Sequence, residues 1–250
     1  MMVSAGNFSN PTMKRKMNSW SVMLGLLAGL VFTSSAGSTL TQKHDNISNQ
    51  FRVRRMGFFM QRLRNVPRPA RMLDLGGTIK FWTQHPIPEA IDITVLNIFS
   101  QAPTAGLTAV VGDACDLSQY PDQHFDVIFS NSVLGHVGDF ERQKQMAREI
   151  RRVGKRYFVQ TPNQDFPVDW RTLVPFFHWL PPETQAWWFQ RVPVGRYDRI
   201  KDPANALQIA THVRNVTRAE LAELFPEATI EEERVGGFTK SFLVHYGFDS

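Results

Sequence analysis

The fold of this 250-residue chain is decided around "GDACDLSQYPDQHFDVIFSNSVLGHV", residues 112–137. A glycine-acid turn ends one apolar run, 107–113, and a second apolar run, 125–132, follows it. Neither run alternates polar and apolar residues, and continuously apolar runs are typical of strands buried on both faces of a parallel sheet. The stretch therefore predicts two such strands, each ending in polar residues.

Strands and helices alternate on either side of this stretch. Three further apolar runs, 71–75, 92–98 and 156–161, predict strands, and apolar residues at helical spacing predict helices over 49–66 and 141–153. Such alternation is typical of a mostly parallel sheet that is covered by helices on both faces.

The end of the chain departs from this alternation. Thr217 and Glu220 form a capping box before a short helix. Two further predicted strands, 228–235 and 240–248, then follow each other with only a glycine-containing turn between them. Because strands joined by a short turn pair antiparallel, these two are predicted to form an antiparallel pair at one edge of the sheet.

The residues at the strand ends are candidates for ligand binding, because ligands of open α/β sheets bind beyond the carboxyl ends of the strands. An acid beside a glycine turn can face an ammonium, and a polar side chain about 20 residues on can hold ribose hydroxyls. A second acid can accept a hydrogen bond from an adenine amino group. These features suit a nucleoside with a charged amino-acid tail. The candidate cofactor-binding residues are Asp74, Gly76, Gly77, Thr78, Asn97, Asp113, Ala114, Ser130 and Asn131.

Four successive segments carry a family resemblance: "RMLDLGGT", "VLNI", "VVGDACDLSQYPDQHFDVIFSNSVLGHVGD" and "RYFVQTPN". They resemble the motifs of class I S-adenosylmethionine-dependent methyltransferases, and most closely those of type 11 methyltransferase domains. The resemblance implies a Rossmann-like α/β fold with a mostly parallel seven-stranded sheet, an antiparallel edge strand and helices on both faces. It also implies S-adenosyl-L-methionine as the cofactor and no metal.

The chain departs from the family pattern at several positions. Gly76 matches the first glycine of the family loop, whereas Thr78 and Lys80 occupy the places of the other two. Asn97 stands where an acidic ribose ligand is usual, and Gly135 where an acid is common. Each change weakens the expected cofactor affinity, but none forbids binding, because one close backbone approach at the glycines is enough.

The chemistry expected from the resemblance is an in-line displacement at a methyl group, for which the protein mainly positions the acceptor and excludes water. His136, after the fourth strand, is the candidate general base, since a neutral imidazole can take a proton near pH 7. The alternative is that His136 caps a helix or binds backbone.

A small, partly apolar molecule is the expected methyl acceptor. Residues 162–215 hold many aromatic side chains among prolines and predict an inserted cap over the sheet, although such aromatics also make ordinary core. Nucleic acid is not the expected acceptor, because the fourth strand is followed by "SNSV" rather than an Asn-Pro-Pro-aromatic tetrad, and Cys115 lies in the wrong loop for a nucleophile. An RNA methyltransferase that uses the arginines of 52–71, and a non-catalytic module of the same fold, remain alternatives.

The N-terminal residues 1–45 are predicted to be an extension of a methyltransferase domain that spans 46–250. A basic cluster, 14–16, precedes the apolar core 20–32, as in a signal peptide or a weak membrane anchor formed by residues 17–42. Because S-adenosylmethionine is kept inside cells, we expect a cytoplasmic enzyme, with membrane-anchored and exported forms as the alternatives.

Overall fold

The computed structural model describes residues 34–85 and 89–248, so the apolar core 20–32 predicted from the sequence lies outside the described residues. Within the described part, seven strands form one sheet. Their bounds are Ala70–Leu75 (β1), Ile91–Asn97 (β2), Leu107–Val111 (β3), Val127–Asn131 (β4), Tyr157–Pro162 (β5), Thr229–Val235 (β6) and Phe238–Tyr246 (β7).

The strands lie in the order β3-β2-β1-β4-β5-β7-β6. The pairs β1/β2, β1/β4, β2/β3 and β4/β5 are parallel, whereas β7 runs antiparallel to both β5 and β6. The strand order reverses between β1 and β4, and this is the point where open sheets of this kind bind ligands. The predicted fold class is confirmed.

The described part of the chain also contains helices, some of which cover the two faces of the sheet. Their bounds are Ser34–Leu63 (α1), Ile79–Thr83 (α2), Phe140–Val153 (α3), Pro182–Phe189 (α4), Pro203–Thr211 (α5) and Arg218–Leu224 (α6), with short 3-10 turns at Leu134–His136 and Phe177–Trp179. The predicted helix over 49–66 is thus longer at its N-terminal end and stops at Leu63, before the first proline. No helix in residues 34–85 and 89–248 is long and apolar enough to cross a membrane.

Two apolar layers hold the helices to the sheet. Phe59 and Leu63 of α1 and Trp82 of α2 pack on one face, together with apolar side chains of β1, β2 and β4. Met146 and Ile150 of α3 pack on the other face, together with α6. Burial of these side chains stabilises the fold by about 1.5–3 kcal/mol each. Because both faces are covered, the strands read as continuously apolar in the sequence.

The chain divides into two compact units. One consists of residues 46–166 and 208–250 and contains the sheet, and the other consists of 167–207 and described residues up to Asp45. In the second unit, the Phe177 and Phe189 rings pack with centroids 5.4 Å apart and form its core. Trp170, Trp179 and Trp187 are each nearly half exposed, so not all of the aromatic residues in this segment serve as core.

Candidate functional site

The glycine turn after β1 begins at the buried carboxyl group of Asp74. The Trp82 indole Nε1 donates a hydrogen bond to Asp74 Oδ2 over 2.6 Å. A Cβ atom at Gly77 would lie 1.7 Å from the same oxygen, so only glycine fits there. Burial raises the pKa of Asp74 to about 7, and the indole hydrogen bond opposes this rise. Asp74 therefore binds the inside of the turn rather than facing outward.

Gly76 allows the chain to turn away from β1 toward the end of β4. Its φ angle is +72°, in the region that favours glycine, and a Cβ atom there would lie 2.5 Å from Cγ2 of Val133. The Gly76 N–H donates to the carbonyl oxygen of Leu96 in β2 over 2.7 Å. Both glycines of the shortened loop are thus required by the geometry, even though Thr78 and Lys80 replace the later ones.

Asn97, at the end of β2, is bound to the glycine turn. Its Nδ2 donates to the carbonyl oxygen of Gly77 over 2.8 Å, and its Oδ1 accepts from the backbone N–H of Ile98. Gln101 donates to the same Gly77 carbonyl over 3.1 Å and accepts from the N–H of Ile79. The two amide side chains together fix the conformation of the turn. Both the nitrogen and the oxygen of the Asn97 amide therefore have hydrogen-bond partners.

Thr78 ends the turn by capping α2, because its Oγ1 accepts from the backbone N–H of Phe81 over 3.2 Å. The residue that replaces a family glycine therefore starts a helix. Lys80 lies within α2 and is exposed. The substitutions convert the later part of the glycine loop into a capped helical turn.

Apolar surface is exposed at the carboxyl ends of β2 and β3. Ile98 is 80% exposed, Val111 60% and Phe99 52%. Large exposed apolar side chains grouped beside polar strand ends are characteristic of a ligand site rather than of ordinary surface. This apolar surface lies next to Asn97 and suits a flat heterocyclic ring.

Asp113 follows β3 and is half exposed. Its Oδ1 accepts from the N–H of Cys115 over 2.9 Å, and its Oδ2 forms an ion pair with Arg142 at 2.5 Å. Partial burial alone would raise the pKa of Asp113, but these two partners lower it more, so the pKa lies below its usual range. Asp113 is therefore an ionised acceptor beside the apolar surface. Ala114 and Cys115 are buried, and burial raises the pKa of the Cys115 thiol to about 11.

Ser130 and Asn131 end β4 and project to opposite faces of the sheet. Ser130 is fully buried, and its Oγ has no hydrogen-bond partner among the described residues. The Asn131 Oδ1 accepts from Nη1 of Arg55 over 2.6 Å. Arg55 is itself buried and forms an ion pair with Glu233 of β6 at 2.7 Å. The predicted cofactor residue Asn131 is therefore linked to a buried charge pair.

His136 lies on the 3-10 turn after β4 and is exposed. The centroid of its ring is 5.4 Å from that of the His212 ring. An exposed imidazole at this place is able to exchange protons with a ligand. Within the described residues no group of three or more His, Cys, Asp or Glu side chains is arranged to hold a metal ion.

The structure adds residues that the sequence analysis did not select, namely Trp82, Gln101, Arg55 and Glu233. Trp82 lies in the helix after the glycine turn, and the polar N–H of its indole was the available signal, whereas Gln101 lies in the loop after β2 and carried none. Arg55 and Glu233 are separated by 178 residues, so no local pattern could pair them.

Comparison with known proteins matches part of the chain to a family model. The type 11 methyltransferase family, described as a methyltransferase domain, matches residues 86–157. This match confirms the resemblance predicted from the sequence, and S-adenosylmethionine is the cofactor expected of such a domain. No curated protein is significantly similar to the chain in sequence.

Solved structures of similar fold include three from bacteria and archaea. A possible exported protein from Bordetella parapertussis is 13% identical with a TM-score of 0.50, over 78% of this chain and 67% of that one. A SAM-dependent methyltransferase from Methanosarcina mazei is 17% identical with a TM-score of 0.45, over 73% and 94%. A 1,6-didemethyltoxoflavin-N1-methyltransferase from Burkholderia thailandensis is 12% identical with a TM-score of 0.43, over 97% and 92%. At such identities the likeness concerns the fold alone.

Proposed function

We propose that this chain, in which residues 86–157 match a methyltransferase domain, transfers a methyl group from S-adenosylmethionine to a small, partly apolar acceptor. The observation that supports it most is the arrangement at the carboxyl ends of β1, β2 and β3. A glycine turn that tolerates no Cβ atom lies there, together with an exposed apolar surface and the ionised Asp113.

The residues present fit the cofactor, although Asp74 and Asn97 contribute indirectly, by supporting the backbone of the glycine turn. Gly76 and Gly77 leave room for a close approach to the backbone, and Asp74 and Asn97 hold that backbone in place from within. Ile98 and Val111 offer apolar contact to a ring, and Asp113 offers a hydrogen-bond acceptor at the ring edge. Bound S-adenosylmethionine supplies an electrophilic methyl group.

The chain's own part in the reaction is to place the acceptor and to accept its proton. Asn131 ends β4 and accepts a hydrogen bond from the buried Arg55 of α1. Val133, two residues later, lies against Gly76 of the glycine turn. His136 is the proposed general base for an acceptor that must lose a proton, because its exposed imidazole follows the same strand. Ser130, whose buried hydroxyl has no partner among the described residues, is proposed to donate to a bound polar group.

The arginine-rich segment gives little support to an RNA acceptor. Arg55 and Arg62 lie inside the fold and bind Glu233 and Glu231, so they are not part of an open basic surface.

A cytoplasmic location is proposed on the ground that the methyl donor is kept inside cells. A chain beginning at Asn46 should then bind the cofactor as tightly as the full chain, and recovery of a product cleaved near Ala36 outside the cell would contradict this location.

Calorimetry with S-adenosylhomocysteine and NAD tests the function. We expect S-adenosylhomocysteine to bind and to raise the melting temperature, while NAD does neither; ligand at 100 times its dissociation constant adds about 2.7 kcal/mol of stability. Ile98→Glu should abolish the heat without unfolding the protein, because Ile98 is 80% exposed. Val53→Glu, on the exposed face of α1, is the matched control. Binding without turnover of any acceptor would favour the non-catalytic alternative.

A further inference from the structure

Lys240 lies at a β-bulge near the start of β7. Glu233 of β6 pairs with Ser241, and Arg234 pairs with Thr239, so Lys240 has no partner in β6. Bulges of this kind re-aim a side chain and are frequent beside active sites. The bulged backbone is held firmly, because the N–H of Asn163 donates to the Lys240 carbonyl oxygen over 3.0 Å and its Nδ2 donates to the Thr239 carbonyl oxygen over 2.8 Å.

The ammonium group of Lys240 has no counter-ion in the described part of the chain. Its Nζ lies 4.6 Å from the centroid of the Phe51 ring of α1. The acid nearest in the sheet, Glu233, is already bound to Arg55 at 2.7 Å and to the Ser241 hydroxyl at 2.5 Å. Glu233 thus neutralises Arg55, and Lys240 is left as the uncompensated charge.

Partial burial makes this arrangement costly. Burial lowers the pKa of Lys240 below its usual range, the positive charges of Arg55 and Arg52 lower it in the same direction, and Glu233 opposes them. A partly desolvated ammonium without an anion is unfavourable, and a bound anion would remove that cost. The charge and geometry together therefore indicate an anion-binding position.

Lys240 lies on the side of the sheet where an acceptor would enter. Ser241, its neighbour, pairs with Pro162 at the carboxyl end of β5, and β5 is next to β4. Arg55 connects the two places directly, since it binds Asn131 at the end of β4 and Glu233 opposite Ser241. An anion held by Lys240 would therefore stand beside the ends of β4 and β5.

We propose that Lys240 binds a carboxylate group of the methyl acceptor and so orients the acceptor toward the end of β4. The proposal rests on the proposed methyltransferase function. A monoanion fits better than a dianion such as a phosphate ester, because one ammonium is free and the Glu233 carboxylate is close by. Phe51, beside Lys240, offers apolar contact to the remainder of the acceptor.

Binding of matched probes tests this proposal on the full chain. The probes are benzoate and hexanoate, each paired with its uncharged amide, and binding is measured by calorimetry with and without saturating S-adenosylhomocysteine. We expect at least one carboxylate to bind, and its amide to bind at least tenfold more weakly. Lys240→Met should weaken carboxylate binding at least tenfold, and Lys240→Arg should restore most of it.

Lys155→Met is the matched control. Lys155 lies just before β5, at the amino ends of the parallel strands, and is paired with Asp126. It should leave carboxylate binding unchanged. If S-adenosylhomocysteine binds but no carboxylate exceeds its amide, or if Lys240→Met leaves carboxylate binding unaltered in a folded protein, the proposal is wrong while the proposed function stands. If S-adenosylhomocysteine does not bind, the proposed function fails, and the measurements without it still decide the role of Lys240.

Discussion

Trp82 donates its indole N–H to the buried carboxyl group of Asp74 across 2.6 Å, and this bond joins α2 to the end of β1. The carboxyl group is enclosed by the indole and by the backbone of Gly77, so its ionisation takes place out of water. The glycine turn is consequently built around a group whose charge depends on pH.

Asp74→Asn should remove a pH dependence of stability. Burial raises the pKa of Asp74 to about 7 in the folded protein, against 3.8 in the unfolded chain. The folded state then holds the proton more tightly, so the stability is fully present below about pH 4 and falls as the pH rises through about 7. The asparagine keeps an acceptor for Trp82. Urea unfolding should show the wild type losing about 3 kcal/mol more than the variant between pH 5 and pH 8.

A second variant checks the sign of this effect. Trp82→Phe removes the N–H that opposes the rise in the pKa of Asp74. Its stability should therefore decline up to a higher pH than that of the wild type. Identical pH profiles for the wild type and Asp74→Asn would show that the carboxyl group is ionised throughout.

Gly77→Ala should damage the turn. The added Cβ atom would lie 1.7 Å from Asp74 Oδ2, so the carboxyl group or the turn must move. We expect a loss of about 1–3 kcal/mol of stability and a clear loss of S-adenosylhomocysteine affinity. Gly57→Ala is the control, because a Cβ atom at Gly57 meets nothing within 4 Å. Inside α1 that change should stabilise the protein by up to about 1 kcal/mol.

Asn97→Asp separates two roles of the residue at the end of β2. The family pattern places a carboxylate there for the ribose, whereas in this chain the amide donates to the Gly77 carbonyl oxygen. A carboxylate cannot donate, so the variant should lose about 1–2 kcal/mol of stability and bind S-adenosylhomocysteine more weakly. Asp92→Asn, on an exposed position of β2, is the control. Tighter binding by Asn97→Asp would show that direct ribose contact outweighs the support of the turn.

The buried pair of Arg55 and Glu233 should behave differently from a surface pair. Arg55→Met leaves Glu233 buried without its ion partner and should cost about 3–5 kcal/mol. The double variant Arg55→Met/Glu233→Leu should recover a large part of that loss. Arg234→Met, which breaks an exposed pair with Glu232, should cost less than about 1 kcal/mol. Chemical denaturation of the four proteins measures these differences, and equal losses for both pairs would contradict the assignment.

The sheet was predictable because its strands carry a local signal. Continuous apolar runs identified β1 to β5, and the capping box at Thr217 and Glu220 is present in the structure with both hydrogen bonds. The bounds were less predictable: the run 125–132 forms a strand only over Val127–Asn131, since Phe125 makes an isolated bridge with Gly154 before the continuous pairing begins.

The positions of the candidate site residues in the sheet were predictable, but their contacts were less so. Strand ends placed Asp74, Asn97 and Asp113 at one edge of the sheet, as expected. Their hydrogen-bond partners depend on tertiary contacts, such as that between Asp113 and Arg142 of α3, which lie 29 residues apart. Sequence patterns report periodicity within an element, and they carry no information on which side chains meet between elements.

The contacts of α1 with the last two strands also bear on the synthesis of the protein. Arg55 and Arg62 of this helix bind Glu233 and Glu231, residues that a ribosome adds after most of the chain has been made. Until then, the two arginines have no acidic partners at that place, and the helix cannot complete its docking on the sheet. Docking of this helix on the sheet is therefore completed only after β6 has been synthesised.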